Sequence, residues 1–133
     1  MILEVKKYGW ANINIGNDGS IFKGRVSYLR DTPLEMLETF KLYVDSNIVP
    51  TIKCDEEGSE FLIVVDKYTT HIISERDSFQ YYNWDISCKD FICQVIKDIE
   101  MQIENVVMFM DDEIEDRKNK IEKLILYIKE HLK

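Results

Sequence analysis

Turn-forming and helix-breaking residues are confined to one end of this chain. All five glycines and both prolines stand at or before Gly58 in a sequence of 133 residues. Glycine and proline interrupt regular elements and supply turns, so the first half suits short strands and the second half long helices. A chain of this length fits one domain and buries roughly two-thirds of the surface its unfolded form exposes.

Residues 8–15 alternate, with Ala11, Ile13 and Ile15 on one side and Trp10, Asn12 and Asn14 on the other. That is the pattern of a half-buried strand. Asn17, Asp18, Gly19 and Ser20 follow as a turn, and a second strand carries Phe22, Gly24, Val26 and Tyr28 on one face. The two strands are expected to form a β-hairpin. Thr32-Pro33-Leu34-Glu35 reads as a capping box, with the Thr32 hydroxyl accepting from the Glu35 N–H and Pro33 at the first helical position. The helix it opens is expected to reach residue 45 or 46, with Leu34, Leu37, Phe40, the Lys41 stem and Val44 on one face and Asn47 as its end.

Strands are expected over 48–54, with Pro50 at its start or on an edge, over 60–65, and over 68–75. Asp55-Glu56-Glu57-Gly58 and Asp66-Lys67 are the turns between them. Residues 76–85 form a polar, aromatic connection. From Ser87, which with Asp90 makes an S-x-x-D start, apolar residues recur at helical spacing from Phe91 to Met110 and again from Ile114 to Leu132. The acidic run at Asp111-Asp112-Glu113 interrupts that face, and a break or bend is expected between Asp111 and Glu115, since acid suits the first turn of a new helix. The order is ββαβββα(α). It predicts an α+β fold: an antiparallel sheet of about five strands, helices packed on one face, and a long C-terminal helical segment. One domain is expected, with the sheet and first helix over about 8–75 and the helical region over about 87–133.

Seventeen basic against twenty-five acidic side chains leave a net charge of −8. Affinity for phosphate backbones comes mostly from Lys and Arg, so this balance argues against nucleic acid and against an anionic membrane surface. No apolar run approaches the length of a membrane span, and the N-terminus lacks a signal-peptide pattern. A cytoplasmic protein is expected. The odd cysteine count (Cys54, Cys88 and Cys93), without C-x-x-C, fits reduced and buried thiols.

Catalytic chemistry finds little support. Nucleophilic catalysis needs a nucleophile, a base and an orienting group, yet the only histidines are His71, within a strand, and His131, in the last helical turn. Neither shows zinc-ligand spacing, and no glycine-rich phosphate loop occurs. Asp55-Glu56-Glu57 reads as a solvated turn, and Asn17 to Ser20 lacks the remaining ligands of a calcium loop. No cofactor, no metal and no enzymatic activity are expected.

Two surface candidates stand out. Asp111, Asp112, Glu113, Glu115 and Asp116 place five carboxylates in six positions. Tyr81, Tyr82 and Trp84 lie beside Asp77 and Asp85, and aromatics interspersed with acid suit an interface with a basic partner. Ile121, Leu124, Ile125, Ile128 and Leu132 form an aliphatic stripe on the last helix, expected to serve in part as a homodimer contact.

Ser27-Tyr28-Leu29-Arg30-Asp31, the helix start Thr32-Pro33-Leu34-Glu35-Met36-Leu37, the turn Asp55-Glu56-Glu57-Gly58-Ser59-Glu60-Phe61 and the helix bearing Phe91, Val95, Ile96 and Ile99 occur in that order. Over residues 8–110 this pattern resembles a group of small, uncharacterised bacterial proteins, some of them similar to immunity proteins of polymorphic toxin systems. The resemblance carries no catalytic residues. It implies a non-catalytic protein-binding domain, an inhibitor of a basic toxin enzyme. The alternatives are a self-associating structural or regulatory module, and a small enzyme or ligand binder using His71, Cys54 or the carboxylates.

Overall fold

The computed structural model describes every residue except Tyr8 and Asp112. Seven strands and four α-helices follow one another as β1 (Leu3–Val5), β2 (Trp10–Ile15), β3 (Phe22–Ser27), α1 (Thr32–Ser46), β4 (Thr51–Asp55), β5 (Glu60–Val65), β6 (Thr70–Ser74), β7 (Gln80–Trp84), α2 (Cys88–Met101), α3 (Ile103–Val107) and α4 (Ile114–His131). The fold is α+β, but the strands make two antiparallel sheets, β1-β2-β3 and β4-β5-β6-β7, and not one sheet of five. The strand expected from residue 8 is described as β2, and Tyr8 itself lies outside the described residues.

Two strands were not legible. β1 is three residues long, too short for alternation to register. β7 forms within the aromatic connection, pairing Gln80 to Ser74, Tyr82 to Ile72 and Trp84 to Thr70. The sheets stay separate because β3 meets the second sheet through side chains, those of β5 and β7. The ring of Phe61 lies over Gly24, where a Cβ would come within 2.4 Å of it; any larger residue there would displace Phe61. Phe22 completes the seam, its ring centroid 5.0 Å from that of Phe61 and 5.2 Å from that of Tyr82.

The first helix begins one residue earlier than the capping box implies. Asp31 is its N-cap and accepts from the Leu34 N–H at 3.3 Å. The Thr32 hydroxyl is buried without a partner among the described residues, and Glu35 pairs with Arg30 at 3.0 Å. An aspartate one position upstream, carrying full charge at the positive end of the helix, displaces the threonine as cap. Asp31 also pairs with Arg117 of α4, which is nearly buried and donates to the carbonyls of Val106 and Val107 at 2.8 and 2.9 Å. Asn47, in the left-handed region at φ 55°, ends α1.

Ser87 caps α2 by accepting from the Asp90 N–H at 3.1 Å. The helical region breaks at Gln102 and again before Ile114, where α4 begins inside the expected window. One core unites Ala11, Ile13 and Ile15 of the first sheet, Ile52, Phe61 and Ile63 of the second, and apolar residues of all four helices.

Candidate protein-binding surface

Alternation within the four-stranded sheet assigns each residue to a face. Ile52, Cys54, Phe61, Ile63, Val65 and Ile72 point into the core. The opposite face is left to solvent, and register aligns its residues into rows. Lys53, Leu62, Ile73 and Tyr81 stand opposite one another across β4, β5, β6 and β7, followed by Thr51, Val64, His71 and Asn83. Ile73 is 38% exposed and Tyr81 60%. The Tyr81 hydroxyl meets Nδ1 of His71, and the two rings stack at 5.7 Å. Lys53 and Glu60, 3.4 Å apart, lie at the rim. An apolar centre with a polar rim is the anatomy of a protein interface.

The aromatic trio is thereby divided. Tyr81 is on the open face, whereas Tyr82 and Trp84 turn to the inner face, half-buried against the core. Phe79, beside the strand, is 78% exposed. Asp111, Glu113, Glu115 and Asp116 are exposed around the start of α4, well apart in sequence from the second sheet, and Asp112 lies outside the described residues. Of the aliphatic stripe, Ile121, Ile125 and Ile128 are buried and Leu124 and Leu132 half-buried against the same core. Most of the stripe is therefore covered within the chain, with only Leu124 and Leu132 left partly accessible.

The groups considered for chemistry are held apart. His71 is on the outer face of the second sheet and Cys54 on the inner one. Burial pushes the Cys54 thiol far up and that of Cys88 up to about 11, so both stay protonated and poorly nucleophilic at neutral pH. Cys93 is exposed, contrary to the expectation of three buried thiols. His131 stacks on Tyr127 at 4.0 Å, with Nδ1 at 2.8 Å from the Tyr127 carbonyl. Among the described residues no group of three or more His, Cys, Asp or Glu is placed to hold a metal ion. A hollow of about 530 Å3 beside Tyr28 and Met108 is lined by Lys6, Lys7, Asn105 and Asp111, with no nucleophile and base paired within it. No described helix is long and apolar enough to cross a membrane.

Comparison with protein-family models, curated proteins and solved structures gives no match.

The remaining polar features close sheet edges. Leu3 and Val5 turn their main-chain groups away from β2, and all four are taken by one face of the C-terminal helices. Asp98 accepts from the N–H groups of Ile2 and Leu3 at 2.7 and 3.1 Å. Gln102 accepts from the Val5 N–H at 2.8 Å and donates to the Leu3 carbonyl at 2.9 Å, while Asn105 donates to the Val5 carbonyl at 3.4 Å. The spacing of four and then three residues aligns these side chains along the helical segment. Asp98 is fully buried and also accepts from Gln94 at 2.7 Å.

On the far edge of this sheet, Glu56 accepts from the Arg25 N–H at 3.2 Å, and Arg76 donates to the Lys23 carbonyl while pairing with Glu56 at 2.7 Å. Burial pushes the Glu56 carboxyl up. The hydrogen bonds from Arg76, the Arg25 N–H and Ser59 outweigh that and hold it below its ordinary value.

Proposed function

We propose that this chain is a non-catalytic protein-binding domain, an immunity-type inhibitor that seats a basic enzyme on the outer face of its four-stranded sheet. The observation that supports this is the row of half-buried Leu62 and exposed Ile73 and Tyr81 on the outer face of a regular sheet whose other face packs on the core across β4, β5 and β6. Exposed apolar residues in a contiguous array with a polar rim mark interaction sites. Tyr81 is the kind of rigid, amphipathic anchor that dominates such contacts. A net charge of −8 favours encounter with a basic partner.

The test is to co-express the chain with the protein encoded beside its gene and to measure growth and enzymatic toxicity. Restored growth is expected, and its loss with Ile73→Glu or Tyr81→Glu in variants that keep the wild-type unfolding midpoint. A neighbouring product that is not toxic, or neutralisation that survives both substitutions, contradicts the reading.

A further inference from the structure

The second sheet also has an edge, β7, that nothing closes among the described residues. Glu75 donates its N–H to the Glu60 carbonyl at 3.0 Å, so the odd-numbered residues of β6 face β5 and Thr70, Ile72 and Ser74 face β7. Alternation in an antiparallel ladder then turns Gln80, Tyr82 and Trp84 towards β6, and the main chain of Tyr81 and Asn83 away from it. These two residues correspond to Leu3 and Val5 of β1. Those have every outward group taken by a side chain, whereas among the described residues no hydrogen bond closes the outward N–H and C=O groups of Tyr81 and Asn83. The usual protections of an edge strand, lysine, proline or a bulge, are missing from Gln80 to Trp84. Such an edge accepts an extended backbone and little else.

Charge selects among extended backbones. β7 is itself uncharged, and Glu75, Asp77 and Asp85 flank it without an ion pair among the described residues. Arg76, the one cation in this stretch, is held by Glu56. A second copy would suit this edge poorly. With Tyr81 opposite Asn83 of its mate, Asp85 would fall diagonally across from Asp77, within the reach of neighbouring positions on paired strands, between chains that each carry −8.

We propose that β7 is a strand-addition site for an extended segment of a partner protein that carries lysine or arginine at both ends of the added strand. This deepens the proposed function and rests on it: the partner's strand extends the sheet while its neighbouring surface covers the face around Ile73 and Tyr81.

The probe is the blocked peptide acetyl-Lys-Val-Thr-Val-Thr-Val-Lys-amide, added to the full chain at low salt, with amide hydrogen exchange and fluorescence anisotropy as readouts. The lysine-ended peptide is expected to slow exchange at Tyr81 and Asn83. A glutamate-ended version is expected to bind about tenfold more weakly, and a version N-methylated at every internal amide is expected not to bind. The double variant Asp77→Lys with Asp85→Lys should reverse the preference between the two charged peptides. Equal binding of the N-methylated peptide, no preference between the charged ends, protection confined to other elements, or no binding at about 1 mM overturns the proposal. So does concentration-dependent protection of Tyr81 and Asn83 in the chain alone, which would mark a second copy on this edge. If the peptide fails while Ile73→Glu still abolishes neutralisation, strand addition falls and the sheet-face reading stands.

Discussion

β1 and β7 are both edge strands, three and five residues long, and each turns the main chain of two residues outward. At β1 those residues are Leu3 and Val5, and Asp98, Gln102 and Asn105 take all four of their backbone groups. At β7 they are Tyr81 and Asn83, with no hydrogen bond to either outward main chain among the described residues. The difference teaches where this chain tolerates unpaired backbone. The closed edge lies under the C-terminal helices, buried at Ile2 and Leu3 where Asp98 accepts and part-buried at Val5, so an unpaired N–H there is costly. The open edge borders an exposed face, where water or another chain can supply the missing partners.

The closed edge is the most vulnerable point in this comparison. Asp98→Ala orphans the N–H groups of Ile2 and Leu3 beneath a helix, and the expected loss is about 3 kcal/mol, read as a lower urea midpoint. A loss below about 1 kcal/mol would mean that water replaces the carboxylate and that β1 is no better closed than β7.

Glu56→Ala should come next, at about 2 kcal/mol, because the carboxylate holds Arg76 and the Arg25 N–H at the seam between the sheets. Its contribution depends on pH. The folded-state carboxyl is held below its ordinary value of 4.5, so the stabilisation is complete above that pH and is lost as pH falls through the lower folded value. Denaturation midpoints of wild type and variant, measured from neutral to acid pH, should therefore converge at the acid end. A constant gap would assign the effect to packing instead.

Away from both edges, Asp31→Ala is expected to cost about 2 kcal/mol or more, because it removes the helix cap and also leaves the nearly buried Arg117 without its carboxylate, whereas Thr32→Val should cost nothing because the buried hydroxyl it replaces has no partner among the described residues. Calorimetric midpoints decide between the two positions. The pair also shows what the sequence made legible. Helix α1, its end at Asn47, the Ser87 cap and the break before Ile114 were readable because each rests on contacts within a few residues. The cap was displaced by one residue because Asp31 and Thr32 both suit the position locally.

What escaped the sequence is non-local. Asp98 reads as one more acid on a helix, and its role requires β1 to lie beneath it, nearly a hundred residues away in the chain. The division into two sheets turns on the Phe61 ring over Gly24, which no spacing announces. The aliphatic stripe from Ile121 to Leu132 was recognised correctly as apolar, but what covers it is settled only by the packing of α4. Of the surface candidates, Tyr81 reads in the sequence only as one of a trio with Tyr82 and Trp84, and its place on the outer face beside Leu62 and Ile73 becomes visible only once register aligns them.

The smallest effect on stability is expected at the open edge. Asn83→Lys places a cation on the outer face of β7 without removing a core contact, and the unfolding free energy should shift by less than about 0.5 kcal/mol. The same substitution should weaken capture of the lysine-ended peptide through like-charge repulsion, which anisotropy would detect.

Residue-resolved amide hydrogen exchange on the wild-type chain compares the two edges most directly. Leu3 and Val5 are expected to exchange only with global unfolding, and Tyr81 and Asn83 as fast as surface loops, independently of protein concentration. Equal protection of both pairs, or rapid exchange at Leu3 and Val5, would contradict the contrast between a closed edge and an open one.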